Sequence, residues 1–143
     1  MDLPQMFTSY WSNRALAEVD EVKVSISRGQ PKWPVGFRYR RATLLAPSRE
    51  TFALRDDAAF EASYLAGLEE IGVERIADLL TKIGAEEGCR ALVLLCFEMD
   101  PADCHRSAFA RWWAARTGQV IKELRRGCGS SRSSREDAQG RLF

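Results

Sequence analysis

Long apolar runs are missing from this 143-residue chain. No segment reaches the roughly 18 apolar residues that a membrane-spanning helix needs. The first residues, Met1-Asp2-Leu3-Pro4, lack a basic stretch leading into an apolar one, so no secretory leader is expected. The four cysteines, at 89, 96, 104 and 128, contain no C-x-x-C pair, the spacing usual for redox and zinc motifs. Without a leader, irregularly spaced cysteines predict free thiols in a cytoplasmic protein rather than a disulfide framework. Histidine occurs once, as His105, and no internal repeat is present. Membrane, secreted disulfide-stapled and repeat architectures are thereby set aside.

What is present suits one soluble domain. Hydrophobic residues make up 45% and charged residues 29%, ordinary values for a chain that buries a single core. Residues 1–125 are expected to form one α/β domain. Residues 126–143, rich in Ser, Gly and Arg without apolar period, are expected to be a flexible polar tail. The net charge of +1 hides a division along the chain. Residues 1–49 hold 8 basic and 4 acidic side chains, residues 50–103 hold 4 and 13, and residues 104–143 hold 9 and 3. Basic ends around an acidic middle predict a surface that attracts phosphates or nucleic acid, against the plainer use of charge for solubility.

Periodicity supplies the elements. Phe7-Thr8-Ser9-Tyr10-Trp11 reads as a first strand and Asn13–Ala17 as a brief helical turn. Val22, Val24 and Ile26 alternate with polar residues as a second strand. Residues 28–41, with two prolines and two glycines, read as irregular, and Thr43–Ala46 as another short strand. Helices follow. Phe60, Tyr64, Leu65 and Leu68 share one face behind Asp56-Asp57. Val73, Ile76, Leu79, Leu80 and Ile83 mark a second helix after Gly72, closed by Gly84 or Gly88. Ala91–Phe97 is a continuous apolar run, the mark of a strand buried on both faces. A helix over about 103–116 and a last strand within Gln119–Leu124 complete the domain. The pattern predicts an α/β fold with an at least partly parallel, Rossmann-like sheet and helices on both faces.

In such folds ligands bind beyond the carboxyl ends of the strands. That rule selects Cys96-Phe97-Glu98-Met99-Asp100-Pro101-Ala102-Asp103-Cys104-His105-Arg106. Asp103 suits an N-cap, which puts Cys104, His105 and Arg106 in the first helical turn, where free N–H groups favour anions. Arg106 adds bidentate donors, and the same field beside an imidazole favours a reactive thiolate at Cys104 or Cys96. Glu98 is a candidate acid or base, weighed against an ordinary solvated carboxylate. Zinc held by Cys96, Cys104 and His105 is a further reading. Adjacent helical side chains diverge by about 100°, which makes joint ligation awkward, so no metal and no cofactor is expected. All of these residues compete with a packing role, since Ala108, Phe109, Trp112 and Ala115 define an apolar stripe in which His105 sits. A second region, residues 28–41, interleaves Arg28, Lys32, Arg38, Arg40 and Arg41 with Trp33, Phe37 and Tyr39 and contains no acid. Cations beside flat rings grip phosphates and stack bases, though the rings could equally cap the core.

These residues carry a likeness. Phe7–Trp11, Val24-Ser25-Ile26-Ser27-Arg28-Gly29, Pro31-Lys32-Trp33, Leu94–Glu98 and Cys104-His105-Arg106 resemble the domain of unknown function 488 (DUF 488) family, in its short form common in bacteria and their phages. The resemblance covers most of residues 6–124. It implies a compact α/β fold and no established reaction, and it adds Ser9 to the substrate-binding candidates. More loosely, Leu92–Cys96 and Arg106-Ser107-Ala108 look like the strand–Cys-loop–helix of rhodaneses and Cys-dependent phosphatases, but nine residues separate Cys96 from Arg106 here.

Three functions remain in play. The first is an enzyme acting on a nucleotide or nucleic-acid component. In it Arg106 and the helix N-terminus hold the anion, Cys96 or Cys104 reacts, His105 orients or shuttles a proton, and residues 28–41 close over the base or backbone. The second is a non-catalytic module that binds nucleic acid or a protein. The third is a structural metal site.

Overall fold

The computed structural model describes residues 3–89, 91–98 and 104–124. Its centre is β4, Ala91–Cys96, lying between β2, Val22–Ser25, and β1, Gln5–Tyr10. Edge strands β3, Tyr39–Arg41, and β5, Lys122–Glu123, complete the order β3-β2-β4-β1-β5, and every pairing is parallel. The apolar run of β4 is explained by this position. Leu92 and Leu94 enter one core with Val24, Leu80, Phe109 and Trp113, while Val93 and Leu95 enter another with Trp11 and Leu16.

The two faces of the sheet are covered unequally. The larger core is covered by α2, Asp57–Ile71, α3, Val73–Glu87, and α4, His105–Thr117. The smaller is covered by a 3-10 turn at Arg14–Glu18 and by Val35, Phe37 and Tyr39. Local signals set the boundaries. Asp56 caps α2 by accepting from the Ala59 N–H at 2.9 Å. Gly72, at φ 93°, joins α2 to α3 without a linker, in a conformation that costs other residues more. Of the two closing candidates, Gly88 is the left-handed cap of α3. Gly84 lies inside the helix, where an added Cβ would stand 2.9 Å from the Cys89 carbonyl oxygen. A four-residue helix, α1, Arg49–Phe52, precedes α2.

Two expectations are corrected. Thr43–Leu45 is a 3-10 turn, not a strand. The strand instead falls within 28–41, at Tyr39–Arg41. An edge strand needs no apolar alternation. Tyr39 packs edge-on against Trp11 with ring centroids 4.7 Å apart, and Arg40 reaches the carboxylates of Glu86 and Glu87. The expected tail, Cys128 and residues 99–103 of the loop lie outside the described residues. No helix among the described residues is long and apolar enough to cross a membrane.

Candidate functional site

At the carboxyl edge of the sheet three chain segments converge: the end of β4 at Cys96, the chain leaving β2 at Ile26, and the start of α4. The helix begins one residue later than the sequence suggests. Cys104 is its N-cap, with extended backbone at φ −132° and ψ 146°. The divergence of adjacent helical side chains therefore does not apply. Cys104 Sγ lies 3.8 Å from His105 Nδ1, and Cys96 and Cys104 are joined as a disulfide. The donor atoms of Cys96, Cys104 and His105 all fall within 4.8 Å of one another. The expectation of free thiols is corrected for this pair and stands for Cys89, which is free.

The ring of His105 is fixed from two sides. Its Nε2 is 2.6 Å from the Ile26 carbonyl oxygen, and Tyr64 meets it edge-on at 5.2 Å between centroids. Tyr64 is itself held by donating its hydroxyl to the Leu45 carbonyl at 2.7 Å, and burial pushes its phenol up. For His105, burial is the largest influence and brings the imidazole down to about 4. The Ile26 carbonyl opposes that fall and the Arg106 cation adds to it. The ring is neutral at pH 7 and carries one N–H. A carbonyl can only accept, so the proton sits on Nε2 and the Nδ1 lone pair faces the sulfurs.

Arg106 has a different role from the one expected. It is 0% exposed, and its Nε and Nη2 donate to the two carboxylate oxygens of Glu123 at 3.0 and 2.8 Å. Its Nη1 donates to Cys96 Sγ at 3.2 Å and to the Glu98 carbonyl at 2.5 Å. A ligand phosphate would have to reach a wholly buried guanidinium and displace the bidentate carboxylate of Glu123 from it. The guanidinium instead ties α4 to β5 and to the end of β4. Glu123, further anchored by the Thr8 hydroxyl at 2.6 Å, escaped the sequence reading. The signal was available: a buried arginine needs an acid, and Glu123 is the one acid between Cys104 and Arg135.

Cys96, Cys104 and His105 line a cavity of about 430 Å³ with Ser27, Arg28, Phe52, Phe60, Phe97, Glu98 and Ser107. A larger cavity of about 860 Å³ reaches Arg28 from the side of Ser48, Thr51, Ser63 and Glu70, but contains no cysteine or histidine. The smaller one is where the two cysteine sulfurs and the imidazole lie.

The other candidates separate. Arg28 belongs to the cavity, and Glu98 lines it while standing exposed. Trp33 packs edge-on against Phe97, with centroids 6.1 Å apart, and so neighbours the rim; Lys32 beside it is exposed. Ser9 is wholly buried, accepts from the Asn13 amide at 2.9 Å and lies on the opposite sheet face from Cys96. Tyr39 packs on Trp11. Arg38 and Arg40 lie at the opposite, amino edge of the sheet, bound to Glu87 and Glu86 at the end of α3. The region 28–41 therefore does not form one cationic surface, because the acidic end of α3 neutralises two of its arginines.

Neither a curated protein nor a solved structure matches the chain. A family model described as a domain of unknown function, DUF488, matches residues 14–113, a span that includes β2, β3, β4, every α-helix through Trp113 and the whole cysteine–histidine cluster. With most of its length and its candidate site inside that match, the chain belongs to the DUF488 family.

Proposed function

We propose that this protein is an enzyme that admits a nucleotide or a nucleic-acid component to the cavity at the carboxyl edge of the sheet and acts on it through Cys96, Cys104 and His105. The observation that carries the reading is that these three residues share one cavity with three phenylalanines and an arginine, beside the carboxylates of Asp57, Glu61 and Glu98, of which Glu61 is paired with Arg111. Phe52 and Phe97, 61% and 37% exposed, offer faces on which a base can stack. Arg28 at the same cavity supplies the cation for the anionic part of the ligand, the task first given to Arg106. Among the described residues Arg28 makes no ion pair, so binding an anion there displaces no carboxylate.

In the reduced protein, the roles follow from the hydrogen bonds. Arg106 favours the thiolate at Cys96 through its 3.2 Å contact. His105 turns a lone pair toward Cys104, accepts a hydrogen bond from its thiol and so orients it. Glu98, on the cavity wall, is the acid that a leaving group would meet. Binding through the amino-edge arginines as a nucleic-acid surface is the weaker alternative, because Glu86 and Glu87 already occupy two of them.

A thermal-shift panel of inorganic phosphate, mononucleotides, dinucleotides and short DNA and RNA tests the reading on wild type, Arg28→Ala and Arg38→Ala. Stabilisation by a nucleotide that is lost in Arg28→Ala and kept in Arg38→Ala is expected. Loss in Arg38→Ala alone would move binding to the amino edge, and no shift with any member would remove the nucleotide.

A further inference from the structure

We infer that the reduced protein holds one soft divalent cation of the zinc class between Cys96 Sγ, Cys104 Sγ and His105 Nδ1, with its fourth position turned to the cavity.

Distances favour it. A tetrahedral zinc site has sulfurs at about 2.3 Å and nitrogen at about 2.0–2.1 Å, which sets S···N edges at about 3.6 Å and S···S edges at about 3.8 Å. Cys104 Sγ and His105 Nδ1 already stand 3.8 Å apart. The Cα atoms of Cys96 and Cys104 are 7.1 Å apart, wider than the roughly 4.4–6.8 Å that disulfides usually span. Backbone spread to this degree suits two sulfurs that share a cation at least as well as two that share a bond.

The surroundings agree. The Ile26 carbonyl at 2.6 Å fixes the Nε2–H tautomer, the outer hydrogen bond that metal-bound histidines use to aim the other nitrogen. Arg106 donates to Cys96 Sγ and so offsets the second thiolate charge. Two thiolates and an imidazole select zinc over magnesium or calcium, which prefer oxygen. Among the described residues no fourth cysteine, histidine or carboxylate joins the cluster. Three protein ligands beside a cavity make the open type of site, in which the cation polarises whatever enters, rather than the closed type that only staples a fold. The inference concerns the same cluster as the proposed enzyme, whose thiol chemistry belongs to the metal-free form, but does not depend on a nucleotide, and its probe is the metal alone.

The full chain is reduced with a water-soluble phosphine, which gives the disulfide two electrons and becomes the phosphine oxide, then freed of metal and titrated with cobalt(II). One equivalent is expected to give a thiolate-to-cobalt charge-transfer band and strong visible bands of four-coordination, both erased by zinc. Cys96→Ser and Cys104→Ser are each expected to weaken binding at least about tenfold, while Cys89→Ser leaves it unchanged. Should either serine variant fail to fold, X-ray absorption of the zinc-loaded wild type decides, with two sulfur and one imidazole neighbours expected. Absence of the charge-transfer band in reduced wild type would overturn the inference. So would its persistence in both serine variants, or a zinc shell without sulfur.

Discussion

The two ends of this sheet spend charge in opposite ways. At the amino edge Arg38 and Arg40 meet Glu86 and Glu87 near the surface, with Arg38 and Glu86 exposed and Glu87 mostly covered, in a cluster that salt can screen. The hydrogen bonds raise the Arg40 guanidinium and lower the Glu86 carboxyl, directions that consolidate charges already present. At the carboxyl edge a single arginine is wholly buried, a histidine is kept neutral, and two sulfurs stand within reach of both. Exposed pairs decorate a fold; a buried set of this kind fixes protonation states and donor directions, which is what chemistry requires.

The largest expected contrast is in stability. Arg106→Ala empties a wholly buried side-chain site and strips the Cys96 sulfur and the Glu98 carbonyl of their donor, and is expected to cost about 2–5 kcal/mol in urea unfolding. The pair Arg38→Ala and Arg40→Ala should change the midpoint little, and less still at high salt. Equal losses at the two ends would break the comparison.

Next in size is the response to pH. His105 has a folded value near 4 against an unfolded value near 6.5, so the unfolded chain binds the extra proton between them. Its contribution is fully present above pH 6.5 and is lost as pH falls toward 4, by at most about 3 kcal/mol. The difference in unfolding free energy between wild type and His105→Asn should therefore shrink on acidification through that window. A constant difference would show a histidine that titrates alike in both states.

Smaller again is Tyr64→Phe, which strips the Leu45 carbonyl of its donor. It is expected to cost about 1–3 kcal/mol and to loosen the wall behind His105, read as faster amide exchange at Leu45–Ala46. The smallest effect expected is that of Arg40→Gln, visible only as a weaker dependence of stability on ionic strength.

Much of this was legible in the sequence where burial is two-sided or caps are explicit. Ala91–Cys96 announced a central strand because both of its faces are covered, and Asp56 and Gly72 announced the helix ends. Tyr39–Arg41 did not announce itself, because an edge strand paired on one side carries arginines that a pattern reads as loop. The cluster itself was also visible as Cys96, Cys104, His105 and Arg106, while its wiring was not. That Cys104 stays extended, that Ile26 accepts from His105, and that Arg106 turns inward to Glu123 are long-range facts. They depend on where β2 and β5 end beside β4 and α4, which no local period encodes.

The most direct test of the carboxyl-edge account uses the fact that His105 is the only histidine in the chain. Titration of its ring by nitrogen-15 NMR in the metal-free protein with the Cys96–Cys104 bond intact reads both the tautomer and the midpoint without an assignment problem. The account predicts a neutral ring protonated at Nε2 through pH 7 and a midpoint near 4. A ring protonated at Nδ1, or one that titrates near 6.5 as a solvated imidazole does, would contradict it.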